Sequence, residues 1–128
     1  MADDHILPLS FRDRLRRYGR DLHRKLEQLP RLAAVTGEEV TTRDYASCLC
    51  GFLPFWQRLE GSAYEYPGVS TVLPDIAERR KSELLAADLA ALGWFSPPPE
   101  LESDIAPKSL HHALGCMYVL EGASLGGI

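Results

Sequence analysis

The sequence predicts an all-α fold, a single helical bundle, on three observations. Apolar residues recur every third or fourth position through long stretches, as one face of a helix requires. Residues of the kind that cap helices stand directly before those stretches. No segment carries the sustained apolar–polar alternation of a half-buried strand.

The elements follow in order. Residues 1–9 read as a flexible tail and residues 10–128 as one domain. Ser10, with Asp13 three positions on, marks a helix start. The helix continues to about Leu29 and stops before Pro30, because the residue before a proline is pushed out of the helical region. Phe11, Leu15, Leu22, Leu26 and Leu29 form its apolar stripe. Residues 30–41 read as a connector with at most one helical turn. Thr41 and Asp44 give a second start signal. Tyr45, Leu49, Phe52, Trp56 and Leu59 then alternate steps of four and three, a core stripe. Pro54 falls inside that helix, removes one hydrogen bond and is expected to kink it. A loop is expected from Gly61 to Gly68. A third long helix is expected from about Pro74 to Leu92, with Leu85, Leu89 and Leu92 inward, Arg79, Arg80 and Lys81 on a solvated face, and Gly93 as its stop. Pro97, Pro98 and Pro99 make a stiff connection, and a last helix starts near Pro107 and runs to the end of the chain.

Composition narrows the function. The chain has 128 residues, 45% of them hydrophobic, enough for one domain with its own core. A net charge of −4 argues against sequence-independent nucleic-acid binding, so no nucleic-acid partner is expected. Positive charge is nonetheless concentrated in Arg12, Arg14, Arg16, Arg17, Arg20, Arg24 and Lys25, a surface suited to a small anion. Cys48, Cys50 and Cys116 follow no zinc spacing and read as buried free thiols in a reducing compartment. With no secretory signal pattern and no apolar run of membrane-spanning length, a cytoplasmic protein without a membrane partner is expected.

Two surfaces carry chemistry. On the first helix Arg16, Arg20, His23 and Glu27 fall within about 60° of one another, offset from the leucine stripe. Such a stripe is either an ordinary solvated face or the wall of a cofactor site. In the second case a neutral imidazole ligates a metal, an arginine pairs with an anionic edge, and Glu27 steers solvent or a side chain near the ligand. On the last helix Gly115, Gly122 and Gly126 fall within about 40° of one another, with Gly127 beside them. Each interior glycine costs a helix about 1 kcal/mol relative to alanine. In return the strip lets a flat partner, another helix or a planar cofactor, approach the backbone. His111 and His112 point about 100° apart and read as surface residues.

These features together resemble a bacterial heme oxygenase, of the type associated with bacterial phytochromes. Leu15-Arg16, His23 and Leu26-Glu27 resemble the family's proximal helix. Arg80, Leu84-Leu85, Asp88-Leu89 and Leu92-Gly93 resemble a mid-domain signature. Leu114-Gly115, Tyr118-Val119-Leu120-Glu121-Gly122 and Leu125-Gly126-Gly127 resemble the glycine-rich distal helix. The resemblance implies a heme oxygenase-like helical bundle that holds heme, as substrate and cofactor, between two helices. It makes His23 the iron ligand, and Arg16 and Tyr118 neighbours of the heme propionates. It lays the backbone of Gly122, Gly126 and Gly127 over the distal face, with Ser124 beside them. The implied activity is cleavage of heme to biliverdin, iron and carbon monoxide. Electrons would come from an external ferredoxin or flavoprotein reductase, and a bilin-binding phytochrome is a possible acceptor of the product.

Two departures stand out. Animal members carry an aspartate after the first distal glycine, where it orders water; this chain has Ala123, and Ser124 is the nearest substitute. Family domains also continue past the glycine strip with closing helices, so the expected bundle lacks its C-terminal helices. Both departures keep open a non-catalytic heme-binding or heme-sensing module. A third alternative is an interaction domain whose glycine strip packs on a neighbouring helix.

Overall fold

A computed structural model describes residues 8–95, 100–101 and 105–125 of the chain, with side chains to residue 122. Among the described residues every regular element is helical: α1 (Phe11–Glu27), α2 (Pro30–Val35), α3 (Thr42–Ser62), α4 (Val69–Val72), a 3-10 turn (Ile76–Arg79), α5 (Ser82–Ala91) and α6 (Leu110–Leu125). The all-α expectation holds. Pro97, Pro98 and Pro99 lie outside the described residues.

The start signals act as expected. Ser10 Oγ accepts the Asp13 amide at 3.2 Å and opens α1. Thr41 and Asp44 form a full capping box at α3: the Thr41 hydroxyl accepts the Asp44 amide at 3.1 Å, and the Asp44 carboxylate accepts the Thr41 amide at 3.0 Å. Such boxes satisfy two donors that a helix start otherwise leaves unpaired. Pro30 begins α2 rather than a mere connector, because a proline at the first helical position forfeits no intrahelical bond. α3 runs unbroken through Pro54, whose ring is buried. It also runs through Gly61 to Ser62, so the expected loop starts later.

α3 is the spine. Its N-terminal half packs Ala46, Leu49, Cys50 and Leu53 against Leu89 of α5. Its C-terminal half packs Trp56, Leu59 and Ala63 with Tyr64, with Val69 of α4, and with Ala113, Met117 and Leu120 of α6. The Trp56 and Tyr64 rings meet edge to face, centroids 6.5 Å apart. Tyr45, expected in the core, is 42% exposed although it shares the helix face of Leu49 and Trp56, because it stands in the first turn of α3, at the end of that face.

Two further expectations are corrected. The apolar stripe of α1 is not part of the core: Phe11 is 72% exposed, and no residue of α1 is buried. The helix rests on the short α2, which is too small to cover it. The long helix expected from Pro74 is instead a 3-10 turn followed by α5, which starts at Ser82. Gly93, at φ +68°, ends α5 in the left-handed conformation that glycine adopts without steric cost.

The later start of α5 has a specific cause. Glu60 of α3, only 5% exposed, turns its carboxylate onto the first amides of α5. Oε1 accepts from Lys81 N at 2.5 Å and Ser82 N at 3.0 Å, and the Ser82 hydroxyl donates to Oε2. A buried carboxylate on unpaired helical amides supplies a cap from another element, and the helix dipole favours its charge.

Candidate functional site

On α1 the predicted stripe is present and open to solvent. His23 Nδ1 stands 3.2 Å from Glu27 Oε1, one helical turn on, and both side chains are mostly exposed. A neutral imidazole that turned Nδ1–H to this carboxylate would leave the Nε2 lone pair for a ligand, the arrangement that orients metal-binding histidines. Arg16 and Arg20 are exposed on the same stripe.

On α6 the glycine face is likewise bare. A Cβ added at Gly115 or Gly122 would meet nothing within 4 Å. Tyr118 and Val119, on the same side, are 66% and 72% exposed. The opposite side carries Ala113, Met117 and Leu120 into the core. Among the described residues no neighbouring helix occupies the strip at Gly115 and Gly122. Ser124 lies in the last turn of α6. Gly126 and Gly127 lie outside the described residues.

The two surfaces are anchored separately: α1 against α2, and α6 against α3 and α4. Two grooves lie elsewhere, one beside Pro54, Gln57 and Arg58, the other between α3 and α5 beside Trp94. Among the described residues no cluster of three or more metal-ligating side chains forms, and no helix is long and apolar enough to cross a membrane.

Several residues that hold these elements were not legible as such. Arg79, Arg80 and Lys81 are not a solvated helical face. Arg79 pairs with Glu121 of α6 at 2.7 Å and with Asp75 at 3.0 Å, and Arg80 pairs with Glu65. The Lys81 ammonium sits 5.7 Å from the Trp56 ring centre. Tyr64, buried, donates a long 3.5 Å hydrogen bond to Glu121. Burial, then the charges of Glu121 and Glu60, push its pKa well above the ordinary tyrosine value, so it remains a neutral donor. Glu121 carried one available signal: it is the sole Asp, Glu, Lys or Arg in the sequence of α6. His112 is exposed as expected but also structural. Its amide donates to Ser109 Oγ at 3.0 Å, and its Nδ1 accepts from Lys108 N at 3.1 Å, closing the start of α6. Cys48 and Cys50 are buried and Cys116 half-buried, and none of the three forms a disulfide.

No family model matches the chain, and no solved structure matches it. Among curated proteins it is similar to Heme oxygenase PigA of Pseudomonas aeruginosa, 32% identical over 131 residues, an alignment that covers 96% of this chain and 63% of that protein. The chain thus spans somewhat less than two thirds of the length of this relative.

Proposed function

We propose that the chain is a heme oxygenase domain of the bacterial type, which takes heme as substrate and cofactor between the His23 stripe of α1 and the glycine face of α6. Similarity to a heme oxygenase over almost the whole chain supports the family. One observation carries the site: an exposed imidazole on α1 with a carboxylate 3.2 Å from its Nδ1. The residues present fit the group. Gly115 and Gly122 leave space at the backbone for a flat ring system, and Arg16 and Arg20 put positive charge beside His23 for its carboxylates.

Heme supplies the redox iron and the ring that is opened to biliverdin, with release of iron and carbon monoxide, using dioxygen and electrons from an external reductase. The chain orients it. His23 Nε2 would ligate the iron, with Glu27 beside Nδ1 to orient the imidazole. Arg16 and Tyr118 would hold the propionates. Gly122, with Gly126, Gly127 and Ser124, would line the side opposite His23, where glycines leave room for a flat ligand. Ala123 offers no side-chain hydrogen bond, so any water ordered there depends on backbone groups and Ser124. Slow turnover is the expected consequence. A phytochrome-type acceptor for the bilin product belongs to the same proposal.

The test is hemin titration of the full chain. Wild type is expected to give a Soret band that His23→Ala abolishes or shifts. Arg16→Ala should weaken binding about two- to fivefold with the band unchanged, as befits an exposed ion pair. An identical spectrum in the His23 variant would refute the assignment. Loss of heme absorbance with a rising biliverdin band, under reductant and catalase, then separates an oxygenase from a heme-binding module that does not turn over.

A further inference from the structure

We infer that the Arg79–Glu121 ion pair is a clamp that sets the position of the glycine face of α6, making Arg79 and Glu121 positioning residues for the heme site; this rests on the function proposed above. Glu121 directly precedes Gly122 on α6. Its carboxylate is held from two directions, by Arg79 at 2.7 Å and by the Tyr64 hydroxyl at 3.5 Å. Tyr64 is 3% exposed and cannot follow a moving partner without disturbing the core. Arg79 is fixed in turn by Asp75 at 3.0 Å, and its Nε is buried without a hydrogen-bond partner. That orphaned donor shows a guanidinium placed for its pairing with two carboxylates rather than for full solvation.

The position along the helix gives the clamp its leverage. The core residues of α6 are Ala113, Met117 and Leu120. Glu121 extends the anchored side one residue further, about 100° around the helix from Gly122. Without it, the last turns of α6 would keep only Leu120 as a deep contact and would be free to roll. Rolling would raise or tilt the bare strip relative to any group lying on it. An ion pair at the edge of the core supplies a direction that apolar packing does not.

The experiment uses the full chain as wild type, Glu121→Ala, Arg79→Ala and the double variant, each checked for helical content by circular dichroism. Hydrogen exchange without ligand reads the clamp. Exchange of the amides from residue 115 to residue 122 is expected to speed up about two- to fivefold in each single variant, the range for a partly exposed pair. The double variant should be no faster than Glu121→Ala, because Arg79 acts on α6 through Glu121. With added hemin, both singles are expected to change the Soret position and spin-state balance while affinity stays within about threefold, His23 being untouched. Arg79→Lys, which keeps the charge, should restore most of the wild-type spectrum. Unchanged exchange in the singles, or additive effects in the double, would overturn the clamp even with hemin bound. Absence of a His23-dependent Soret band in wild type would remove the heme reading, and with it the role assigned to the clamp, while the exchange data would still report whether the pair holds the helix.

Discussion

Replacing Gly122 by alanine separates stability from function in a way that tests the proposed site directly. A Cβ at Gly122 meets nothing within 4 Å, so the substitution introduces no clash in the ligand-free chain. Gly122 lies within α6 at ordinary helical dihedral angles, since the glycines with positive φ are Gly68 and Gly93 among those described. Alanine should therefore stabilise the free protein by about 0.5–1 kcal/mol through the lower backbone entropy of its unfolded state. That corresponds to a Tm raised by about 2–5 °C. A planar ligand resting on the backbone meets the opposite situation, because the methyl group occupies the space it needs. Overpacking of one methyl costs about 1–3 kcal/mol, so hemin affinity should fall about five- to a hundredfold. Thermal melts of the free chain and hemin titration of the same samples give both numbers. A destabilised free protein would refute the open geometry at Gly122. A stabilised protein with undiminished hemin affinity would refute the use of this face by heme.

Glu60→Ala leaves the Lys81 and Ser82 amides and the Ser82 hydroxyl without their acceptor, and should cost about 3–5 kcal/mol in urea unfolding, with Glu60→Gln costing less than half as much because it retains an acceptor oxygen; equal costs would show that the carboxylate is not capping α5. Asp44 titrates below its ordinary value of 3.8, chiefly through the hydrogen bond from the Thr41 side chain. Its contribution is therefore fully present above about pH 3.8 and is lost as pH falls through the lower folded-state value. Thr41→Ala should cost about 1 kcal/mol at neutral pH and reduce this part of the acid dependence, which is read by comparing urea midpoints at pH 7 and pH 3. Glu27→Ala should retain hemin but shift the spectrum of its iron–histidine bond, and an unshifted spectrum would show that the 3.2 Å pair does not tune His23.

Most of the fold was legible because its signals are local. Ser10 with Asp13 and Thr41 with Asp44 fix the starts of α1 and α3 within one turn of chain, and Gly93 fixes the end of α5. The start of α5 was not legible because it depends on Glu60, 21 and 22 residues away from the amides it caps. For the same reason Arg79, Arg80 and Lys81 looked like a solvated face: their partners Glu121, Glu65 and Trp56 lie far from them in sequence. The apolar stripe of α1 shows the converse limit, since periodicity identifies an apolar face but not whether anything in this chain covers it. Of the site, the His23–Glu27 pair and the bare face at Gly115 and Gly122 follow from helical spacing alone. The hold on α6 from Arg79 and Tyr64 is tertiary and carried only the faint trace of one acidic residue in an otherwise uncharged helix.

The two sides of α6 impose opposite demands on sequence, and this explains how a glycine-rich segment remains a helix. Gly115 and Gly122 together remove about 2 kcal/mol of helical preference relative to alanine. Helices of this length are marginal in isolation and take most of their stability from packing. Here the packing comes from Ala113, Met117 and Leu120, locked against Trp56, Leu59 and Val69. Burial of the Met117 and Leu120 side chains contributes about 1.5–3 kcal/mol each, which exceeds the glycine penalty. The bare face is therefore sustained by the buried one, and the helix can keep a strip without side chains only where its other side is tightly held. α1 has no such support: its polar stripe is open and its apolar stripe is uncovered. A ligand that bridged His23 and the glycine face would tie the weakly held α1 to the firmly held α6, so hemin binding should protect the amides of α1 from exchange far more than those of α6. Equal protection of both helices, or protection of α6 alone, would count against a heme held between them.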